Sequence, residues 1–352
     1  MNRSSSHPRI PFYDAARGIG IILVVIGHTI PFDSYANAFV YSFHMPLFFF
    51  ITGSVMADRK YPNWKKKILL SEHKLISSYL FYSVLYIVFD FIVRFAFLRQ
   101  IGKRDLFWDV YRTLTGYGIN VLWFLFSLAV AKIVTRLCAA TIKRKSRILV
   151  LSLLMFVGGA YAGNLLRANI QPRGWENLWY IPCAAILCTM TMTAVTLIAH
   201  AMRDFTYRLV VRWKYLCAAG LLINIALCNG FGKIDYHSLV FGMPPLTMVL
   251  AVTGVIGILG ISEMLSGFKP FLEILFWFSK NSMFIMVTHE YLRIKEYLIA
   301  PLLSLFHFNA SFSLLLVLAL LFVIEIPLCN YIQPLANKCV NAIDTRLQII
   351  KA

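Results

Sequence analysis

Hydrophobic residues run through this chain in long unbroken blocks separated by short polar stretches, with no sustained alternation of the kind a half-buried strand needs. A helix crossing a bilayer needs about 20 mostly apolar residues, because only its own backbone can satisfy its hydrogen bonds in lipid. Ten blocks meet that requirement: 10–30, 37–57, 75–97, 119–140, 148–164, 178–200, 214–228, 237–259, 271–290 and 312–332. The fifth and seventh are short. Met243-Pro244-Pro245 is expected to distort the eighth, and Pro46 to kink the second. The pattern predicts an all-α, polytopic integral membrane protein of about ten transmembrane helices.

Composition agrees. Charged residues make up only 14% of the 352, where soluble proteins carry about a quarter, and 59% are hydrophobic. Soluble, disordered and disulfide-stapled classes are excluded on that ground. The formal charge of +18 raises the question of nucleic acid, and the positions of the charges answer it. With the N-terminus inside, 21 of the 34 Lys and Arg fall in cytoplasmic segments and 10 in outer loops, the orientation that the positive-inside rule favours. Both termini are therefore expected in the cytoplasm. The runs Lys65-Lys66-Lys67 and Lys143-Arg144-Lys145 read as topology signals touching anionic lipid, so no nucleic-acid partner is expected. The first block is too long for a signal-peptide core and contains Arg17 and His28. Seven cysteines without paired spacing read as small apolar residues, with no metal site. No repeat or linker divides residues 1–352, so a single transmembrane domain without an appended soluble domain is expected. Oligomeric state is left open.

Ionisable groups within spans are costly and mark candidate sites. Arg17 and His28 are eleven residues apart in the first helix. At 100° and 1.5 Å per residue their side chains lie about 20° apart on one face and roughly 16 Å apart along the axis. One stripe thus carries an anion binder below and a titratable base above. An Asp14–Arg17 ion pair at i,i+3 with an interfacial histidine is the bland alternative. His44 beside Pro46 is read equally as a packing or a functional histidine. Counting depth along each helix groups Arg17, Lys280 (with Asn281 beside it) and Glu325 in an inner layer. His28, His289 with Glu290, Trp123 and, somewhat deeper, His44 fall in an outer one. Two layers suit a long anionic acyl donor such as acetyl-CoA. Its phosphates would meet the basic layer, and its extended arm would bring the thioester to the histidines, where His28 serves as general base. Arg17, Lys280, Asn281 and Trp123 are the donor-binding candidates. A transporter or flippase for a glycan intermediate is the alternative from another class.

The segments Asp14, Arg17-Gly18-Ile19-Gly20 and Gly27-His28 resemble the Arg-x10-His signature of the membrane-bound acyltransferase-3 family. The resemblance continues in His44-Met45-Pro46, Trp123-Phe124-Leu125, Asn281-Ser282 to His289, and Glu325-x-Pro327. Within that family the chain is similar to the fucose 4-O-acetylase-like branch. The resemblance implies transfer of an acyl group, usually acetyl, from cytoplasmic acyl-CoA to a hydroxyl of an extracytoplasmic glycan or lipid-linked sugar, at the bacterial inner membrane. It carries Arg17 and His28 over as the essential pair, with His44, Trp123, His289 and Glu325 beside them. Lipopolysaccharide O-antigen, capsule, common antigen or a secreted polymer all remain possible acceptors, and a longer acyl donor is also compatible.

Overall fold

A computed structural model describes residues 10–56, 68, 71–93, 103–170, 177–230, 234–290 and 310–349. Lys65-Lys66-Lys67, the far end of the third predicted span beyond Val93, and the last residue of the second, Ala57, lie outside these described residues.

The fold is all-helical. In chain order the helices are α1 (Pro11–Thr29), α2 (Tyr35–Tyr41), α3 (His44–Val55), α4 (His73–Val93) and α5 (Lys103–Leu114). They continue as α6 (Trp123–Thr141), α7 (Lys145–Asn169), α8 (Asn177–Arg212), α9 (Lys214–Leu227) and α10 (Pro244–Leu265). The last are α11 (Lys269–Thr288), α12 (Ala310–Pro327) and α13 (Gln333–Ile349), with a π-helical stretch at Leu328–Ile332 between the final two. Among the described residues nine segments are long and apolar enough to cross a membrane, and α9 is a shorter apolar helix. The protein is a polytopic membrane protein.

Four expectations are corrected. The second predicted span breaks at Ser42-Phe43 rather than at Pro46, which falls in the first turn of α3, where its missing N–H costs no helical bond. The eighth was placed from His237. Instead Met243 caps α10, and Pro244 and Pro245 start it, since proline is favoured in a first turn and cannot continue a helix from behind. His237 therefore lies in a tight turn held by reciprocal main-chain bonds between Asp235 and Val240, both 2.8 Å. The fifth predicted span is not short, because α7 has 25 residues. The sixth, expected to end at His200, runs on to Arg212, which lets one helix carry basic residues beyond its apolar part.

α1 is the hub. It packs against α3, α10, α11 and α12, and α3 and α6 in turn pack on the long α8. α1 and α11 approach closely at Gly18, where a Cβ would stand 2.2 Å from the Leu275 carbonyl oxygen of α11. Only a residue without a side chain lets these backbones meet, and the contact brings Arg17 alongside Lys280. Asn37 fixes the other end by donating to the Gly27 carbonyl at 2.8 Å, tying α2 to α1. Between the two ends the helices pack through fully buried side chains such as Ile21, Val24, Leu47 and Ile51.

Candidate active site

Two cavities flank that core, one at each end of α1. The larger, about 1350 Å³, lies between the starts of α1 and the ends of α3 and α8, with the middle of α11 on its fourth side. Arg17, Arg203, Arg208 and Lys280 line it, against Asp14 and Asp204. Arg17 reaches Asp14 at 3.5 Å, and Asp204 is bound by Lys145 at 3.2 Å and Arg203 at 3.6 Å. Each carboxylate is thus neutralised by a cation. Arg208 and Lys280 have no ion-pair partner among the described residues, so the cavity presents net positive charge to whatever enters. Tyr13, Tyr207, Phe276 and Trp277 supply flat apolar walls. A binding site for an anion with a ring or apolar body needs these groups.

The smaller cavity, about 400 Å³, is lined by His28, Tyr41, His44, Arg112, Tyr117, Trp123, Asp235, His237 and Glu290. His28 Nδ1 lies 2.7 Å from Glu290 Oε1. With the carboxylate accepting, the proton sits on Nδ1 and the lone pair on Nε2. The imidazole is held by a partner 262 positions away in sequence. His289 lies edge-on to His28, ring centres 5.0 Å apart, and donates Nδ1–H to the Ile285 carbonyl at 2.9 Å. His44 makes a similar contact across the break between α2 and α3, donating Nδ1–H to the Val40 carbonyl at 2.9 Å, and its ring stands 4.8 Å from Tyr41. Trp123 arrives by a loop that depends on Gly118, whose φ of +75° and close approach to the Trp123 amide exclude a side chain there. The Asn120 amide donates to the Tyr86 hydroxyl and fixes the same loop.

One end of α1 thus carries a surplus of cations, and the other a hydrogen-bonded imidazole. Residues 10–332 match the acyltransferase-3 family, described as an acyltransferase domain. The chain belongs to this family. No curated relative and no solved structure matches it. This membrane acyltransferase therefore takes an acyl donor and passes the acyl group to an acceptor, and the transporter alternative gives way to an enzyme.

Of the residues singled out from sequence, Arg17 and Lys280 meet in the large cavity, and His28, His44, Trp123 and Glu290 line the small one. His289 backs His28 from the protein side, with Nε2 buried and without a hydrogen-bond partner among the described residues. Asn281 lines neither cavity: it is buried and donates to the Trp277 carbonyl at 2.9 Å, so its place is inside the wall between them. Trp123, grouped with the donor-binding residues, is at the opposite end from Arg17 and Lys280. Glu325 also departs from its predicted layer. It accepts from Thr288 at 2.8 Å, next to His289, and does not approach Arg17. The depth count failed because α12, the π-helical stretch and α13 form one helical column over residues 310–349, roughly 60 Å long, far more than a bilayer core. Its apolar start does not set its height. Arg203, Arg208, Tyr117, Asp235 and His237 were not singled out. From sequence, Arg203 and Arg208 count among the cytoplasmic topology signals, and His237 reads as the first residue of a span.

Proposed function

We propose that the protein is an integral membrane O-acyltransferase that moves an acetyl group from cytoplasmic acetyl-CoA to a sugar hydroxyl of an extracytoplasmic or lipid-linked bacterial surface glycan. It is read as one transmembrane domain of the inner membrane with both termini cytoplasmic, in the fucose 4-O-acetylase-like branch. The observation that carries this reading is the position of Arg17 and His28 in two separate cavities at opposite ends of one helix. A buried ion pair would need neither the separation nor the second cavity.

The large cavity holds the anionic nucleotide end of the donor through Arg17, Arg208 and Lys280, with charge-assisted hydrogen bonds to phosphate. The thioester reaches the histidine end between α1, α3 and α11. His28 Nε2 accepts the proton of the acceptor hydroxyl as its oxygen attacks the thioester carbonyl. The C–S bond then breaks, and the imidazolium returns the proton to the departing thiolate. Glu290 holds the ring and stabilises the imidazolium through Nδ1–H, so charge forms where a carboxylate already waits. His44 and His289 form the rest of the imidazole wall, and Glu325 supports the α11 turn that carries His289.

The test is transfer itself. Purified protein in lipid, given labelled acetyl-CoA and a surface-glycan acceptor, should label the acceptor. His28→Ala and Arg17→Ala should each abolish transfer while the protein stays folded in detergent. Near-normal turnover by His28→Ala would overturn the mechanism. Movement of a lipid-linked sugar without consumption of acetyl-CoA would restore the flippase reading.

A further inference from the structure

The small cavity holds a histidine that the transfer step does not use. His237 sits in the turn between α9 and α10, where Asp235 organises the backbone. The Asp235 carboxylate accepts from the main-chain N–H of His237 at 3.0 Å and of Ser238 at 3.1 Å, and from the Ser238 hydroxyl at 2.7 Å. Two aromatic rings pack on the His237 ring. Tyr117 lies 4.3 Å from it at a tilt of 34°, and Trp123 lies 5.4 Å away, within 9° of parallel. Its Nε2 lies 3.2 Å from the Tyr117 carbonyl, which can only accept, so the ring proton is on Nε2. Nδ1 therefore carries a lone pair, and it has no hydrogen-bond partner among the described residues while the residue lines the cavity.

Polar groups within a fold usually find a partner, so a lone pair on a cavity-lining ring is available to a ligand. Here one nitrogen fixes the tautomer, two rings fix the plane, and the second nitrogen remains for a ligand. Burial among these rings pushes the His237 pKa below the ordinary imidazole value, an effect the Asp235 carboxylate opposes and Arg112 reinforces. The neutral, lone-pair form is the one the cavity holds at neutral pH. A lone pair calls for a donor on the ligand, and the acceptor of an acyl transfer to oxygen brings hydroxyl donors into this cavity.

We propose that His237 is a specificity-determining residue, whose Nδ1 accepts a hydrogen bond from a second hydroxyl of the acceptor while His28 takes the proton of the first. The acceptor is then a polyol with at least two hydroxyls reaching the same cavity, and a simple alcohol is a poor substrate. This rests on the acyl-transfer reading above.

The experiment uses full-length protein in lipid, acetyl-CoA as donor, and a panel of methyl hexosides with their single-deoxy analogues as acceptors. His237→Gln keeps an amide donor for the Tyr117 carbonyl but has no acceptor at the Nδ1 position. His237→Asn sets an amide oxygen there. His237→Gln should raise the acceptor KM about tenfold, the size expected for one lost hydrogen bond to a neutral group, with the acetyl-CoA KM unchanged. His237→Asn should recover most of that loss. One deoxy analogue should show the same loss with the wild type and no further loss with His237→Gln, as two deletions of one contact must. The proposal is overturned if His237→Gln leaves the acceptor KM unchanged, raises both KM values alike, or keeps full discrimination against every deoxy analogue. Should His237→Gln fail to fold, the wild-type deoxy series and His237→Asn decide the matter: no deoxy analogue losing affinity overturns it. Failure of the wild type to acetylate any hexoside, with acetyl-CoA bound, would count against the acyl-transfer reading itself and the proposal with it.

Discussion

The two ends of α1 bind in different ways. At the Arg17 end the cavity is wide, and its polar groups are long flexible cations, two of them without a carboxylate partner among the described residues. At the His28 end the cavity is less than a third as large, and beside Arg112, Asp235 and Glu290 it holds three histidine rings, each committed through one nitrogen to a carbonyl or carboxylate. The first end attracts by net charge, tolerates a ligand of variable pose and should be sensitive to salt. The second acts by fixed lone pairs, and its selectivity depends on geometry. The transfer proposed above, from a charged donor to a neutral acceptor, draws on that difference.

Substitutions that damage one end and spare the other break or sharpen the comparison. The largest effect is expected from His28→Ala. Loss of a positioned general base should lower kcat by about 10²–10⁴-fold while the acetyl-CoA Kd, measured by calorimetry on the reconstituted protein, stays within twofold. A parallel loss of donor affinity would mean that the ends are not separate. Arg17→Gln should act the other way round. Removing a charged hydrogen-bonding partner costs about 1.5–3 kcal/mol, so the donor Kd should weaken roughly 10–150-fold, with the acceptor KM unaffected at saturating donor.

Glu290→Gln leaves a group able to accept from Nδ1–H but removes the charge that stabilises the imidazolium. A fall of about tenfold or more in kcat, with both KM values kept, is expected from steady-state kinetics. Gly18→Val tests the wall between the ends. The added carbons meet the Leu275 carbonyl, so overpacking of about 1–3 kcal/mol should lower the thermal midpoint and weaken donor binding through the displaced Lys280. The smallest effect concerns pH. The folded chain keeps His237 neutral while an unfolded imidazole titrates near 6.5, so the unfolded state binds the extra proton as pH falls. Stability should therefore decline as pH falls below about 6.5, and His237→Gln should shallow that decline in a thermal melt.

Much of this was legible in one dimension. The apolar blocks located nearly every membrane helix, because a bilayer demands about 20 apolar residues whatever the tertiary contacts. The eleven-residue spacing placed Arg17 and His28 on one face and at opposite ends, because helical geometry is local, and the structure opens a cavity at each. Proline was read with the right residues and the wrong positions. Pro46 and Pro244 both start helices instead of bending them, since the same missing N–H suits a first turn. Lys132 is a charge inside the apolar block 119–140. It is half of a network in which Lys132 and Arg136 of α6 both pair with Glu72 just before α4, an inward-facing arrangement that hydropathy does not encode.

What the sequence by itself determined is the class of the protein and one axis within it: a helical membrane acyltransferase with Arg17 and His28 on one stripe. Only the tertiary structure decided which groups complete each end. Glu290 reaches His28, Arg203 and Arg208 join Arg17, Glu325 goes to Thr288, and Tyr117, His237 and Trp123 stack into one wall. The physical reason is that periodicity and hydropathy fix the direction and depth of a side chain along its own helix. Which helices become neighbours, and at what height, is set by close approaches such as Gly18 on Leu275 and by turns such as Asp235–Val240, which act between residues far apart in the chain.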